Sequence, residues 1–213
     1  LYWSIPIFAK RFLSSCLMVL FACTKEVIQQ TVSIFPTKLD GSKTIPRSDV
    51  EAVLDSANYA PSHYRTEPWR FMVFTGKSLN AFFEAQVEIY KSTTPESEFS
   101  EMKIKKMQMK ANNLSHLIVV IVHYNQEDKL PQKEEEWAVA CAVQNMHLIC
   151  AALNIGAYWG TGKLAYSNEM HQHLSLADNE AVMGLFQMGV PKDDLNLLDK
   201  KPLSDLSQKT TWK

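Results

Sequence analysis

Apolar positions along the chain follow two rhythms. Val50, Val53, Leu54 and Ala57 recur at the three-and-four spacing of one helix face, which predicts an amphipathic helix over 49–59. Ser48, with Glu51 three residues on, predicts a capping box for its first turn. Leu79, Phe82, Phe83 and Val87 repeat the rhythm in a helix over 78–90. A helix over 97–112 carries Met102, Met107 and Met109 among Lys103, Lys105, Lys106 and Lys110. It reads as a surface helix with a solvated basic face. Shorter helices are expected over 25–34 and 167–174. The longest, 134–153, opens on Glu134, Glu135 and Glu136, which suit the positive end of a helix dipole. From Trp137 onward it is apolar nearly all round, so a single chain covers it with difficulty and a partner subunit is expected.

Extended structure is marked by runs rich in apolar and β-favouring residues. Residues 69–74 form one, introduced by Pro68 and closed by Thr75-Gly76. Residues 115–123 form a second, of the kind that suits a central strand covered on both faces. Residues 181–190 form a third, closed by Pro191. Between the long helix and that last run, Ala157-Tyr158-Trp159-Gly160-Thr161-Gly162 reads as a glycine-rich turn. It either lets backbone approach a ligand or simply reverses the chain.

Composition narrows the function classes. The 213 residues are 46% hydrophobic and 21% charged, with a formal net charge of −1. That describes one globular domain with a real core and argues against a general nucleic-acid or membrane-surface binder. Of the four cysteines, Cys141 and Cys150 stand nine positions apart on one helix. A turn of about 900° sends them to opposite sides, and both read as reduced core residues. No Cys or His spacing suggests a metal site. His116 and His123 read as satisfied ends of a strand, and His171 and His173 share no helix face. Residues 1–24 stand apart. Lys10 and Arg11 precede an apolar run over 12–23, too short for a spanning helix and laid out like a signal sequence. Leu20-Phe21-Ala22-Cys23 resembles a lipoprotein cleavage box. The segment is either an exporting or tethering leader or a foreign upstream piece, and the domain proper is expected over 25–213. Apart from that leader the composition is that of a cytoplasmic protein.

Candidate chemistry gathers between Pro61 and Pro68. The two prolines fence a polar loop containing Ser62, His63, Arg65 and Glu67 between a helix and a strand. A loop held this way on a scaffold is a favoured place for function. The string APSHxxTEPWRF, the IFP near residue 34, the GAYWGTG segment and FQMGVPK followed by KKPL resemble, in order, the pattern of the nitroreductase-like flavoproteins. The resemblance implies an α+β fold with a central, mostly antiparallel sheet flanked by helices, intertwined as a homodimer with one FMN at each subunit boundary. It implies that Pro61, Ser62 and His63 line the flavin ring and ribityl chain. Arg65 would face the pyrimidine edge, with Glu67 and Pro68 closing that side. Trp159, Gly160, Thr161 and Gly162 would bring backbone N–H groups toward N5 and O4, while Ser33, Lys200 and Lys201 would meet the phosphate. No side-chain acid–base pair and no metal is implied.

The implied reaction is hydride transfer from NADH or NADPH to a quinone or nitroaromatic in a ping-pong cycle. A specialised flavin chemistry such as dehalogenation would use a lid that is not seen in this chain. One departure stands out. Relatives carry two arginines just before the retained Ser33, where this chain has Thr31 and Val32. That loss leaves open a flavin-binding or flavin-free dimer without turnover.

Overall fold

A computed structural model describes residues 20, 22–126, 130–193 and 204–213. It divides into two units, one of residues 1–32 with 196–213 and one of residues 33–195. In the first, residues 22–30 form a helix, α1, shorter than the expected 25–34 at its C-terminal end. Asp205 caps a 3-10 turn, Leu206–Lys209, by accepting from the Ser207 N–H at 2.8 Å. Among the described residues no helix is long and apolar enough to cross a membrane. Most of the 1–24 segment lies outside the described residues.

The second unit is built on a five-stranded antiparallel sheet: β1 (Leu39–Asp40), β2 (Trp69–Thr75), β3 (His116–His123), β4 (Gly156–Gly160) and β5 (Glu180–Pro191). Across the sheet β4 pairs with β5, β5 with β3 and β3 with β2, while β1 joins the C-terminal end of β5. Every β3 residue from His116 to Val122 is buried, as a strand paired on both edges and covered on both faces must be.

Alternation divides the two faces. Ile118, Val120, Val122, Phe186 and Met188 point to one side, where α2 (Arg47–Ala57) and α5 (Gln132–Ala152) pack through Val50, Val53, Val139, Val143 and Met146. On the other side α3 (Gly76–Thr93) brings Phe82 against Phe74, ring centres 5.0 Å apart, and α4 (Glu101–Asn113) packs on α3. A short α6 (Asn168–His173), capped by the Ser167 hydroxyl, leads into β5.

Several boundaries differ from the sequence reading for local reasons. Helix α2 starts at Arg47 with Pro46 at its N-cap, so Ser48 caps nothing and Glu51 pairs with Arg47 Nε at 2.7 Å. Helix α3 starts two residues early because the Ser78 hydroxyl accepts the Thr75 N–H at 3.0 Å. The start of α4 is delayed by Pro95 and a 3-10 turn, Glu96–Glu98. The glycine-rich turn after α5 is in fact strand β4: Tyr158 and Trp159 have the bulky, flat side chains a sheet favours. On α5 Cys150 is buried, but Cys141 is exposed and is not a core residue. It shares an uncovered stripe with Trp137, which is 57% exposed. Within one chain the long apolar helix is therefore incompletely covered.

Candidate functional site

Helix α2 runs out at Ala57, and the chain turns through Tyr59 and Ala60 by hydrogen bonds to Ser56 O and Ala57 O. The loop beyond Pro61 is conformationally costly. Tyr64, Arg65 and Glu67 adopt φ of 52°, 56° and 44°, a left-handed region that charges a non-glycine residue roughly 1 kcal/mol. Such a loop persists only where its surroundings over-determine it, and here they do. The Ser62 hydroxyl accepts the Glu67 N–H at 3.2 Å. Arg70 Nη1 donates to the Glu67 and Trp69 carbonyls at 2.9 and 2.8 Å. The Pro68 carbonyl accepts the His123 N–H at 2.7 Å, which extends the sheet past β2. Trp69 Nε1 donates to Asn58 Oδ1 at 3.2 Å, closing the base of the loop. His63 Nδ1–H donates to Glu134 at the start of α5, and its ring stacks on Tyr64. Arg65, Glu67 and Pro61 are left exposed, and the Thr66 hydroxyl is buried with no partner among the described residues.

The second part of the predicted site forms around β4. Ser33 bridges to Ala157, the Ile34 N–H donates to Ala157 O at 2.8 Å, and Phe35 lies against Tyr158. The IFP and GAYWG segments, distant in sequence, are thus one ribbon. Trp159 crosses directly above Gly184, and Gly160 faces Gln187; a Cβ on either glycine would collide with its neighbour. Trp159 Nε1 and Gln187 Oε1 are buried without partners among the described residues, although Gln187 is only 1% exposed. Gly162 is different. Its φ of +142° requires glycine, yet a Cβ there would meet nothing within 4 Å, so its backbone faces open space beside the exposed Thr161.

The two parts share one end of the sheet without touching. Gly160 is level with Leu185, and Trp69 with Val122. Across the ladders Gly160 is level with Met72, three residues in from Trp69, and strands β4 and β2 are themselves three strand spacings apart, about 14 Å. The structure therefore brings Ser33 to Trp159 and Gly160, and Ser62 to Glu67, but does not bring Arg65 to Gly162 within one chain. Lys200 and Lys201 lie outside the described residues.

The acidic start of α5 carries more than a favourable dipole. Glu134 takes His63, both oxygens of the buried Glu135 take the Asn125 N–H at 3.2 and 3.1 Å, and Glu136 takes the Tyr124 hydroxyl at 2.9 Å. Burial, reinforced by the Glu136 carboxylate, pushes the Tyr124 phenol up to about 12. Sequence reasoning missed Glu134 and Asn58 as the residues that position the loop. A triple glutamate at a helix start is a signal only once its three partners are known.

Residues 36–190 match the model of the nitroreductase family. The chain belongs to that family. A Bacillus subtilis (strain 168) nitroreductase-family relative, "Putative NAD(P)H nitroreductase YfhC", is 28% identical over 188 residues, covering 85% of this chain and 91% of its own. A nitroreductase-like family protein from Bacillus cereus superposes with a TM-score of 0.73 at 18% identity, covering 89% of this chain and 95% of that one. A nitroreductase with bound FMN from Bacteroides fragilis NCTC 9343 superposes with a TM-score of 0.63 at 19% identity, over 89% and 98% of the two chains. The nitroreductase fold accounts for the β4–β5–β3–β2 order flanked by paired helices.

Proposed function

We propose that this nitroreductase-family chain is an FMN-dependent oxidoreductase that takes hydride from NADH or NADPH and reduces a small acceptor, a quinone or a nitroaromatic, in a ping-pong cycle. The observation that carries this reading is the 61–68 loop. Glu67 is held by its hydrogen bonds with Ser62 and Arg70 and the neighbouring His63 by Glu134, while the Arg65 side chain is exposed and has no partner among the described residues. Conformational cost retained in a loop of exposed polar groups marks a site poised for a ligand.

The residues present fit FMN. Bound FMN supplies a hydride-accepting N5 and gathers negative charge over N1 and O2. Arg65 would set a cation against that charge, and Pro61, Ser62, His63, Glu67 and Pro68 would wall that edge. The open Gly162 backbone, beside Thr161, Gly160 and Trp159, would offer N–H donors to the ring. Ser33 would bind the phosphate together with Lys200 and Lys201. Because the loop and β4 lie about three strands apart in one chain, two copies would complete each site. The uncovered α5 stripe of Trp137 and Cys141 supports the same homodimer.

Thr31 and Val32, where family members carry guanidiniums, favour a second reading: a dimer that binds flavin weakly or not at all and does not turn over. A visible spectrum of the purified protein, before and after anaerobic NADH or NADPH, separates the two. Flavin bands that bleach support the enzyme. Colourless protein that refuses added FMN removes it.

A further inference from the structure

A cavity of about 520 Å³ opens between the first turns of α5, the 165–171 segment and the beginning of β5. Its size is that of a small-molecule pocket. Ala165, Ala181, Val182 and Met183 supply apolar lining, Tyr124 and Tyr166 aromatic lining, and Ser167, Asn168 and His171 polar lining. Among the described residues the only acidic side chain in the lining is Glu136, and no lysine or arginine shares it. One Glu136 oxygen is taken by the Tyr124 hydroxyl at 2.9 Å. The other, Oε2, has no partner among the described residues. His171 directs Nε2 to the carbonyls of Ala177 and Glu180, at 3.2 and 3.1 Å, so that nitrogen is already engaged within the fold.

We propose that this cavity binds a small organic cation, an alkyl or arylalkyl ammonium, through Glu136 and the aromatic side chains of Tyr124 and Tyr166. A carboxylate with no cationic partner among the described residues, in a cavity that two tyrosines and a methionine also line, is complementary to a cation with an apolar body. The same lining repels phosphates and carboxylates, which distinguishes it from the place an FMN phosphate would need. Tyr124 keeps its proton far above neutral pH, so it remains a donor to Glu136 and adds no second negative charge. This cation site lies beyond the flavin reading and does not depend on it.

The test is calorimetric titration of the full chain, with and without added FMN, using benzyltrimethylammonium chloride as probe and sodium benzoate at matched ionic strength as control. Saturable binding of the ammonium at one site per chain is expected, with benzoate at least tenfold weaker. Glu136→Gln keeps an acceptor for the Tyr124 hydroxyl and should weaken the ammonium at least tenfold. Tyr166→Ala, at an exposed position that folding tolerates, should weaken it severalfold, and Tyr166→Phe should not. Methyl-labelled methionine NMR should show the Met183 signal, assigned through Met183→Leu, moving with the titration. Absent ammonium binding, equal binding of benzoate, unchanged affinity in Glu136→Gln and Tyr166→Ala, or a stationary Met183 signal would each overturn the proposal. A protein that lacks flavin but binds the ammonium would leave this inference standing while removing the oxidoreductase.

Discussion

His63 Nδ1 and Glu134 Oε2 are hydrogen-bonded across 71 positions of sequence, and the pair ties the loop before β2 to the first turn of α5. Both side chains are partly exposed, so the pair contributes less than about 1 kcal/mol to overall stability. Its larger effect is to hold the loop. His63→Ala and Glu134→Ala should each lower the melting temperature by no more than a few degrees, yet weaken FMN binding roughly tenfold. In a fluorescence titration the double variant should be no worse than either single one. Additive losses would mean that the two residues act separately.

Gly184 and Gly162 both have φ values that favour glycine, but only Gly184 is also crowded, by the Trp159 indole. Gly184→Ala should therefore cost more than about 2 kcal/mol, a drop of roughly 5 °C or more for a chain of this size. Gly162→Ala should cost about 1 kcal/mol, from backbone strain alone. Differential scanning calorimetry on the two variants would show whether the order holds.

Alkaline pH should destabilise the fold in two stages. Burial pushes the Cys150 thiol from an ordinary 9.0 up to about 12, and Tyr124 rises from 10.0 to about 12. Folding thus holds both protons more tightly than the unfolded chain does. The associated stability is fully present below pH 9 and is lost as pH climbs toward 12. Urea midpoints should stay level between pH 7 and 9 with respect to these groups, then fall. Cys150→Ala should flatten the earlier part of the fall and Tyr124→Phe the later part. A slope unaltered in both variants would contradict the assignment.

Val32→Arg should restore one of the two guanidiniums expected next to Ser33. A charge-assisted hydrogen bond of about 1.5–3 kcal/mol corresponds to at least a tenfold gain in FMN affinity. The gain should shrink as salt is raised from 50 to 500 mM. Equilibrium dialysis at both salt levels would test it, and an unchanged affinity would place the phosphate elsewhere.

The strands were legible in sequence where packing alone decides them. The run 115–123 has no polar residue between its two histidines, which suits a central strand, and β3 begins within a residue of its expected place. Boundaries set by one side chain were harder. Ser48 looked like a cap, but Pro46, with its φ of −58°, already turns the chain into α2. Gly156–Gly160 looked like a turn because glycines dominate the string, and only pairing with β5 shows that their lack of side chain makes room for Leu39 and Gln187. Cys141 looked like core because composition cannot say which side of an apolar helix remains uncovered. In the site, Ser62, His63 and Arg65 were visible as residue types, whereas Glu134 was not, because its partner lies 71 positions away.

Strand β5 spans twelve residues, is the last of the sheet to be made, and supplies the pairing edge for β1, β3 and β4 alike. A chain emerging from the ribosome can join β2 to β3, but three other strand pairings must wait until Pro191 is clear. Until then β3, apolar through six residues from Leu117 to Val122, presents one bare hydrogen-bonding edge to whatever is near. The long-range closure that defines this sheet therefore also sets its hazard. Translation speed through α6 and chaperone occupancy of β3, more than the finished fold's stability, should govern how much of the protein is recovered in native form.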